Sequence, residues 1–281
     1  MQIIKTITEM QQEVKFLRLH GKTIGFVPTM GYLHEGHTAL LEKARVDNDI
    51  VVLSIFVNPL QFGANEGFDT YPRDIKRDEQ IAKNAGASII FYPETIEMYN
   101  RKMSVNVKVQ DRVDVLCGRT REGHFDGVAT VLTKLFHIVL PDRAYFGMKD
   151  AQQVAVVDGL IKDFNFPIEL IPVETVREED GLAKSSRNVH LSQQEWEEAS
   201  ELYKSIQKAK TTIRMGERNP EIVQKMIHDH LLNKTSGTID YVEIYSYPEL
   251  QTITKISGKV LIALAVKFTK TRLIDNITLD V

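Results

Sequence analysis

At 281 residues the chain fits one large domain or two modest ones and can bury a proper core. Hydrophobic residues at 43% and charged residues at 26% are ordinary for a soluble globular protein. Thirty-five basic against 38 acidic residues leave a net charge of −3 with no basic block, which argues against a nucleic-acid partner, and a single cysteine, Cys117, excludes an intrachain disulfide and a multi-cysteine zinc site.

The N-terminal stretch mixes apolar and charged residues at helical spacing, lacks a signal-peptide core, and predicts an amphipathic helix over residues 7–20. No apolar run approaches the roughly 18 residues of a membrane span, so a cytoplasmic enzyme without a membrane partner is expected. Residues 23–45 read TIGFVPTMGYLHEGHTALLEKAR. A short apolar β-rich run over 23–27 is followed by a turn and then by Ala39, Leu40, Ala44 and Val46 at helical intervals. Such a strand–turn–helix junction suits phosphate binding, because the first amides of a helix lack intrahelical partners and the macrodipole is positive there. Gly31 permits the turn and Gly36 allows close approach of an anion or a base. His34 and His37, three apart, are expected on one face, where imidazole N–H groups neutralise a triphosphate. The stretch is one residue short of GxxxxGK[ST], and its histidines are three apart rather than the four of HExxH, so neither a phosphate-loop lysine nor a zinc-protease pair is read here.

Residues 49–57 form a nearly continuous apolar run, as expected of a strand covered on both faces. They end in Asn58-Pro59-Leu60-Gln61-Phe62-Gly63, a turn at a strand's carboxyl end, where open parallel sheets bind ligands; Gln61 is a candidate two-way hydrogen-bonding residue. A helix over 75–85 carries Asp78, which could help hold a magnesium ion, and a strand over 87–92 follows. Residues 103–109 alternate in a strand-like way. In the loop that precedes an apolar helix over 128–139, Arg119, Arg121 and His124 lie between glycines and could meet phosphate or carboxylate. A strand over 143–148 leads into Lys149, Asp150 and a second helix, giving another turn suited to an anion. The last strand of the sheet is expected over 168–176, and polar residues 177–188 read as a mobile loop in which Ser185, Ser186 and Arg187 offer donors to a triphosphate.

Beyond it Ser192 and Glu195 form a capping box opening a long helix, Asn219-Pro220 caps another, and three β segments close the chain. The fold class is therefore α/β, a Rossmann-like doubly wound parallel sheet of five strands with a second, smaller α+β C-terminal domain. The boundaries read as 1–176, a hinge and serine loop over 177–188, and 189–281, so closure over bound nucleotide is expected at the hinge. The residues alone give an ATP-using enzyme with an anionic substrate at the carboxyl edge of a parallel sheet. A nucleotidylyltransferase acting on a phosphate-bearing acceptor, or a nucleotide sensor that has kept the fold, remain as alternatives.

The motifs PTMGxLHxGH, NPLQFG, FxxYPR, GxKDxQQ and the loop ending in SSRN occur in this order, and together they resemble the pantothenate synthetase (pantoate–β-alanine ligase) family of the HIGH-motif nucleotidyltransferase superfamily. Residues 115–128 are similar to the family's LEGxxRPGHFxGV, with Cys117 and Glu122 departing from its glutamate and proline. The resemblance implies condensation of (R)-pantoate with β-alanine through a pantoyl adenylate, with ATP and Mg²⁺, in a homodimer. It implies ATP contacts at Pro28, Thr29, Met30, Gly31, His34, Gly36, His37, Gly147, Lys149, Asp150, Val176, Lys184, Ser185, Ser186 and Arg187. Of these, His34, His37, Lys149, Ser185, Ser186 and Arg187 would act on the reacting phosphates. Gln61, Gln153 and Arg121 would bind pantoate or β-alanine, and Asp78 would serve magnesium.

Overall fold

The computed structural model describes residues 1–63 and 67–281. Contacts divide these into two compact units, one of Met1–Val113, Cys117–Gly147 and Val156–Val173, the other of Asp114–Leu116, Met148–Ala155 and Glu174–Val281.

The first unit is built on a six-stranded, all-parallel sheet. Its strands are β1 (Gln2–Ile4), β2 (Ile24–Thr29), β3 (Ile50–Ile55), β4 (Ile89–Phe91), β5 (Arg143–Gly147) and β6 (Glu169–Val173), in the order β1-β4-β3-β2-β5-β6. The connections carry α1 (Ile7–Leu19), α2 (Glu35–Asp47), α3 (Ile75–Asn84), the single turn α4 (Thr95–Met98), α5 (His124–Val139) and α6 (Ala151–Asp163). Val27, Leu53, Ile90 and Tyr145 from the strands bury against Leu41, Ala44 and Ala82 from α2 and α3. At the C-terminal end of α2, the Asn48 amide donates to the Ala44 carbonyl (2.8 Å) and the Tyr145 hydroxyl (2.7 Å), and that hydroxyl donates to Asp47 (3.0 Å). Burial pushes the Tyr145 hydroxyl up to about 12. Gly25 of β2 makes room for this knot, since a Cβ there would lie 2.5 Å from Asn48 Nδ2. Helix α2 is thereby fastened at its far end, and its N-terminus is held at the carboxyl edge of the sheet.

The sheet has one strand more than the sequence suggests: β1 is three residues long and pairs Gln2, Ile3 and Ile4 with Ile89, Ile90 and Phe91. Residues 103–109, in contrast, join no ladder. Their alternation is served by side chains, with Val107 N–H donating to Thr130 Oγ1 (3.0 Å) and Val109 N–H to Asp126 Oδ1 (2.8 Å).

The second unit holds an antiparallel sheet β7-β8-β9 (Thr238–Ser246, Lys259–Lys267, Arg272–Asp280) and the helices α7 (Gln193–Arg214) and α8 (Pro220–Lys234). Both helix starts follow from sequence: Ser192 and Glu195 form the expected capping box, and Asn219 caps α8 with Pro220 at its first position. Alternation along β8 sends Val260, Ile262, Leu264 and Val266 to a core with α7 and α8, while Leu261 and Ala263 pack with Ala151, Ala155 and Leu116 on the other face. Among the described residues no helix is long and apolar enough to cross a membrane.

Candidate active site

In the first unit the turn between β2 and α2 is built by glycine, an aspartate and two histidines. Thr29 Oγ1 donates to the Ser54 carbonyl (2.8 Å) and accepts from Gly31 N–H (3.2 Å), which ends the strand in a tight turn. Gly31 has φ +86°, and a Cβ there would lie 2.9 Å from Ile55 Cγ2 and 3.0 Å from Asp78 Oδ2, so only glycine fits. Asp78, 1% exposed on α3, accepts from the main-chain N–H groups of Tyr32 (2.7 Å) and Leu33 (2.8 Å). Its carboxylate is therefore the clamp that sets the loop.

His34 is the N-cap of α2 and not a residue of its first turn. Its Nδ1 accepts from Gly36 N–H (3.1 Å), His37 Nδ1 accepts from His34 N–H (3.2 Å), and the ring centroids lie 4.2 Å apart. The pair is a capping box made of imidazoles. Because a main-chain N–H donates to Nδ1 of each ring, the proton of each neutral imidazole sits on Nε2. Two N–H donors and a helix N-terminus are thus gathered at one place, an arrangement that suits a polyanion. A Cβ on residue 36 would come 2.8 Å from His34 Cε1, so Gly36 lets the ring fold over the helix end.

Gln61 ends the short helical turn Pro59–Gln61 after β3 and is buried. Asn58, 1% exposed, donates to Gln61 Oε1 (3.2 Å) and the Gly127 carbonyl (3.0 Å), and accepts from Leu60 N–H (3.3 Å) and the Tyr99 hydroxyl (2.8 Å). With Oε1 taken, Gln61 presents its NH₂ group, whose contact in the structure is Met30 Sδ (3.3 Å). His124 Nδ1 donates to the Gln61 carbonyl (2.8 Å), and its Nε2 accepts from Arg121 Nη1 (2.9 Å); a carbonyl only accepts and a guanidinium only donates, which fixes the tautomer. Gly127 brings α5 against this turn, since a Cβ there would lie 2.3 Å from the Leu60 carbonyl oxygen. An open cleft lined by Met30, Gly31, Phe56, Arg73, Asp78 and Tyr92 lies beside these residues. Pro28, Thr29, Met30, Gly31, His34, Gly36, His37, Gln61, Asp78 and Arg121 all fall in this unit.

The remaining candidates, apart from Gly147 at the end of β5, belong to the second unit. Lys149 and Asp150 lie in the short turn Met148–Asp150, with Lys149 Nζ 4.0 Å from Asp150 Oδ2, and Gln153 is on the first turn of α6. Val176 and Lys184 are paired, the Lys184 N–H donating to the Val176 carbonyl (2.9 Å), and Lys184 Nζ lies 3.0 Å from Glu178 Oε2. Ser185 caps the turn Ser186–His190 by accepting from Arg187 N–H (3.3 Å).

Asn58 and Tyr99 carry no motif that marks them as supports for Gln61. The asparagine before Pro59 is the one local signal, since Asn is a preferred cap before a proline at a helix start. The donor set around Asp78 does not fit a protein cage for magnesium. Both its oxygens accept main-chain N–H, and the described residues contain no group of three His, Cys, Asp or Glu able to hold a metal ion.

Comparison with known proteins fits this arrangement. The family model for pantoate-beta-alanine ligase matches residues 2–278. Pantothenate synthetase from Geobacillus sp. is 66% identical over 98% of both chains, and that from Bacillus cereus is 60% identical over the whole of both. A crystal structure of pantothenate synthetase from Thermus thermophilus superposes with a TM-score of 0.92 at 40% identity, covering 99% of each chain. Pantoate-beta-alanine ligase from Francisella tularensis, crystallised in complex with beta-gamma ATP and beta-alanine, gives a TM-score of 0.78 at 32% identity, covering 99% of this chain and 97% of that one. The chain belongs to the pantoate–β-alanine ligase family.

Proposed function

We propose that the chain joins (R)-pantoate to β-alanine in two half-reactions at the site whose parts are described above. The pantoate carboxylate attacks the α-phosphorus of ATP, pyrophosphate leaves, and the amine of β-alanine then attacks the acyl carbon of the adenylate, releasing AMP and pantothenate. The observation that carries this reading is the imidazole capping box, because it sets two Nε2–H groups side by side at the N-terminus of α2. Such preorganised donors stabilise charge that grows on phosphate oxygens as the transition state forms.

In this reading His34, His37, Lys149, Ser185, Ser186 and Arg187 act on the phosphates. Gln61 and Gln153 orient pantoate, and Arg121, braced by His124, meets a substrate carboxylate. The chemistry is mostly positioning and electrostatics, and neither half-reaction calls for a covalent bond to a side chain. Magnesium, if bound with ATP, would supply positive charge to the phosphates and would need few protein ligands. Asp78 sets the phosphate turn, and with both oxygens accepting main-chain N–H it would serve the ion indirectly. Residues 177–188 link a substrate-binding part over 1–176 to the smaller part over 189–281. A cytoplasmic homodimer is what the family resemblance implies; light scattering tests the dimer.

AMP release from ATP and magnesium tests the function, with pantoate alone, β-alanine alone, and both. Sustained release with both, and pantoate-dependent exchange of pyrophosphate into ATP, is expected. Folded protein that binds ATP and forms no AMP under any condition would sink the assignment.

A further inference from the structure

Two consecutive residues of β9, Asp275 and Asn276, are buried and polar (3% and 8% exposed) beside the largely apolar strand β8. Strand alternation sends them to opposite faces. Asp275 pairs with Leu264 in the β8–β9 register and lies on the face covered by α7 and α8; Asn276 pairs with Ala263 and lies on the face covered by Met148–Ala155.

Each reaches a different segment. The Asp275 carboxylate takes both ends of the Arg177 guanidinium, Nη1 at 2.8 Å and Nη2 at 2.9 Å, in a fork geometry. Arg177 also donates to the Gly181 carbonyl (3.0 Å), and its guanidinium lies 3.7 Å from the centroid of the Tyr203 ring. Around it residues 177–184 form a small hairpin: Arg177 bridges Ala183, Glu178 N–H donates to the Leu182 carbonyl (2.8 Å), and Asp180 accepts from Trp196 Nε1 (3.2 Å). The stretch that reads as mobile in sequence is thus pinned at its base, directly before Ser185. On the other face, Asn276 Nδ2 donates to the Lys149 main-chain carbonyl (2.9 Å). The Asp275 side chain is tied to its neighbour's backbone as well, Asn276 N–H donating to Asp275 Oδ1 (2.8 Å).

We propose that Asp275 and Asn276 are positioning residues for ATP: a single dipeptide of β9 sets the relative placement of the Lys149 turn and the serine loop, 127 and 98 residues away in sequence. The proposal rests on the reading of those two segments as phosphate contacts. Apolar residues would fill the same positions if stability alone were served, because buried ion pairs and amides seldom add net stability over well-packed hydrophobes. What the polar pair adds is a fixed geometry for two loops.

The test separates the half-reactions. In Asp275→Asn and Asn276→Ala, formation of pantoyl adenylate from ATP and pantoate is timed in single turnovers, and capture of preformed adenylate by β-alanine is timed apart from it. Thermal melting reports folding, and Lys149→Ala and Ser186→Ala serve as controls. Both β9 variants are expected to slow adenylate formation about ten- to a hundredfold, the size of effect that a displacement near 1 Å produces, and to raise the ATP concentration needed for half-maximal rate. Capture of the adenylate, which needs neither β- nor γ-phosphate, is expected to stay within about twofold of wild type. Equal slowing of both half-reactions, or no slowing of the first, overturns the proposal. If the two controls also leave adenylate formation intact, the reading of the segments as phosphate contacts falls with it; if only the controls slow it, the positioning role alone fails. Should Asp275→Asn not fold, Asn276→Ala decides by the same criteria, since it removes one hydrogen bond and no charge.

Discussion

His124 Nδ1 donates to the Gln61 main-chain carbonyl at 2.8 Å while its Nε2 accepts from Arg121, so one buried imidazole holds two substrate-binding candidates in register. Replacing it with alanine leaves a buried carbonyl without its donor, at a cost of about 1–3 kcal/mol, and removes its contact with Arg121. His124→Ala is expected to raise the KM for pantoate about tenfold or more and to leave the KM for ATP within about twofold. Steady-state kinetics with each substrate varied in turn would check it; a KM for pantoate that stays at the wild-type value would rule out the bracing role.

The capping histidines yield a different pattern. If His37 acts on the phosphates as proposed, His37→Ala should lower adenylate formation by roughly 10²- to 10³-fold, the range for loss of one transition-state donor. A single-turnover rate within a few-fold of wild type would take His37 out of the chemistry. Nitrogen NMR shifts of the two rings should report an acceptor Nδ1 and a protonated Nε2 in both, matching the hydrogen bonds from Gly36 and His34.

Asp78 offers a test of where magnesium is held. Asp78→Ala leaves two main-chain N–H groups without their acceptor, and each buried orphan costs about 1–3 kcal/mol. Adenylate formation should fall sharply and melting should come earlier. Asp78→Asn keeps one acceptor oxygen and should lie between. In that milder variant the magnesium concentration for half-maximal activity should move by less than about twofold if the ion is held by phosphates and water; a large shift would make the carboxylate a direct ligand.

A pH experiment addresses the smaller unit. Glu195 is held down at about 2, from an ordinary 4.5, first by the Ser192 N–H that closes the capping box (2.8 Å) and then by Thr269 N–H (2.9 Å). A carboxylate with a depressed value in the folded state contributes stability that is full above about 4.5 and is lost as pH falls towards 2. Glu195→Gln should therefore melt earlier than wild type at neutral pH, with the gap closing between pH 4.5 and 2. A gap that is constant with pH would show that the charge is not what Glu195 supplies.

Much of this architecture is legible in the residues because the signals are local. The β2–α2 turn, the Ser192 capping box and the Asn219-Pro220 start each lie within a few positions, and the structure has each of them. What is not legible depends on distant partners. Gln2–Ile4 is too short to show a period and becomes a strand only beside β4. Residues 103–109 have the period but no strand to pair with, and Thr130 and Asp126 take their N–H groups instead. Helix α5 starts at His124, four residues before its apolar run, because Gly127 fits against the Leu60 carbonyl, a contact no local pattern announces. At the site the chemistry-bearing residues show in their motifs, whereas the supporting roles of Asn58, Tyr99, and Asp78 acting on main-chain amides show only in three dimensions.

The small sheet has one face completed by Met148–Ala155, a segment that precedes β8 by roughly a hundred residues. A fragment cut at residue 174 would therefore carry Tyr245, Tyr247, Leu250 and Leu261 without their cover, and an uncovered apolar face of that kind invites self-association. During synthesis the same segment must wait, unpacked, until β8 has left the ribosome. Although its last hundred residues look like an independent module, the protein has no clean place to be cut, and its two parts are made and completed together.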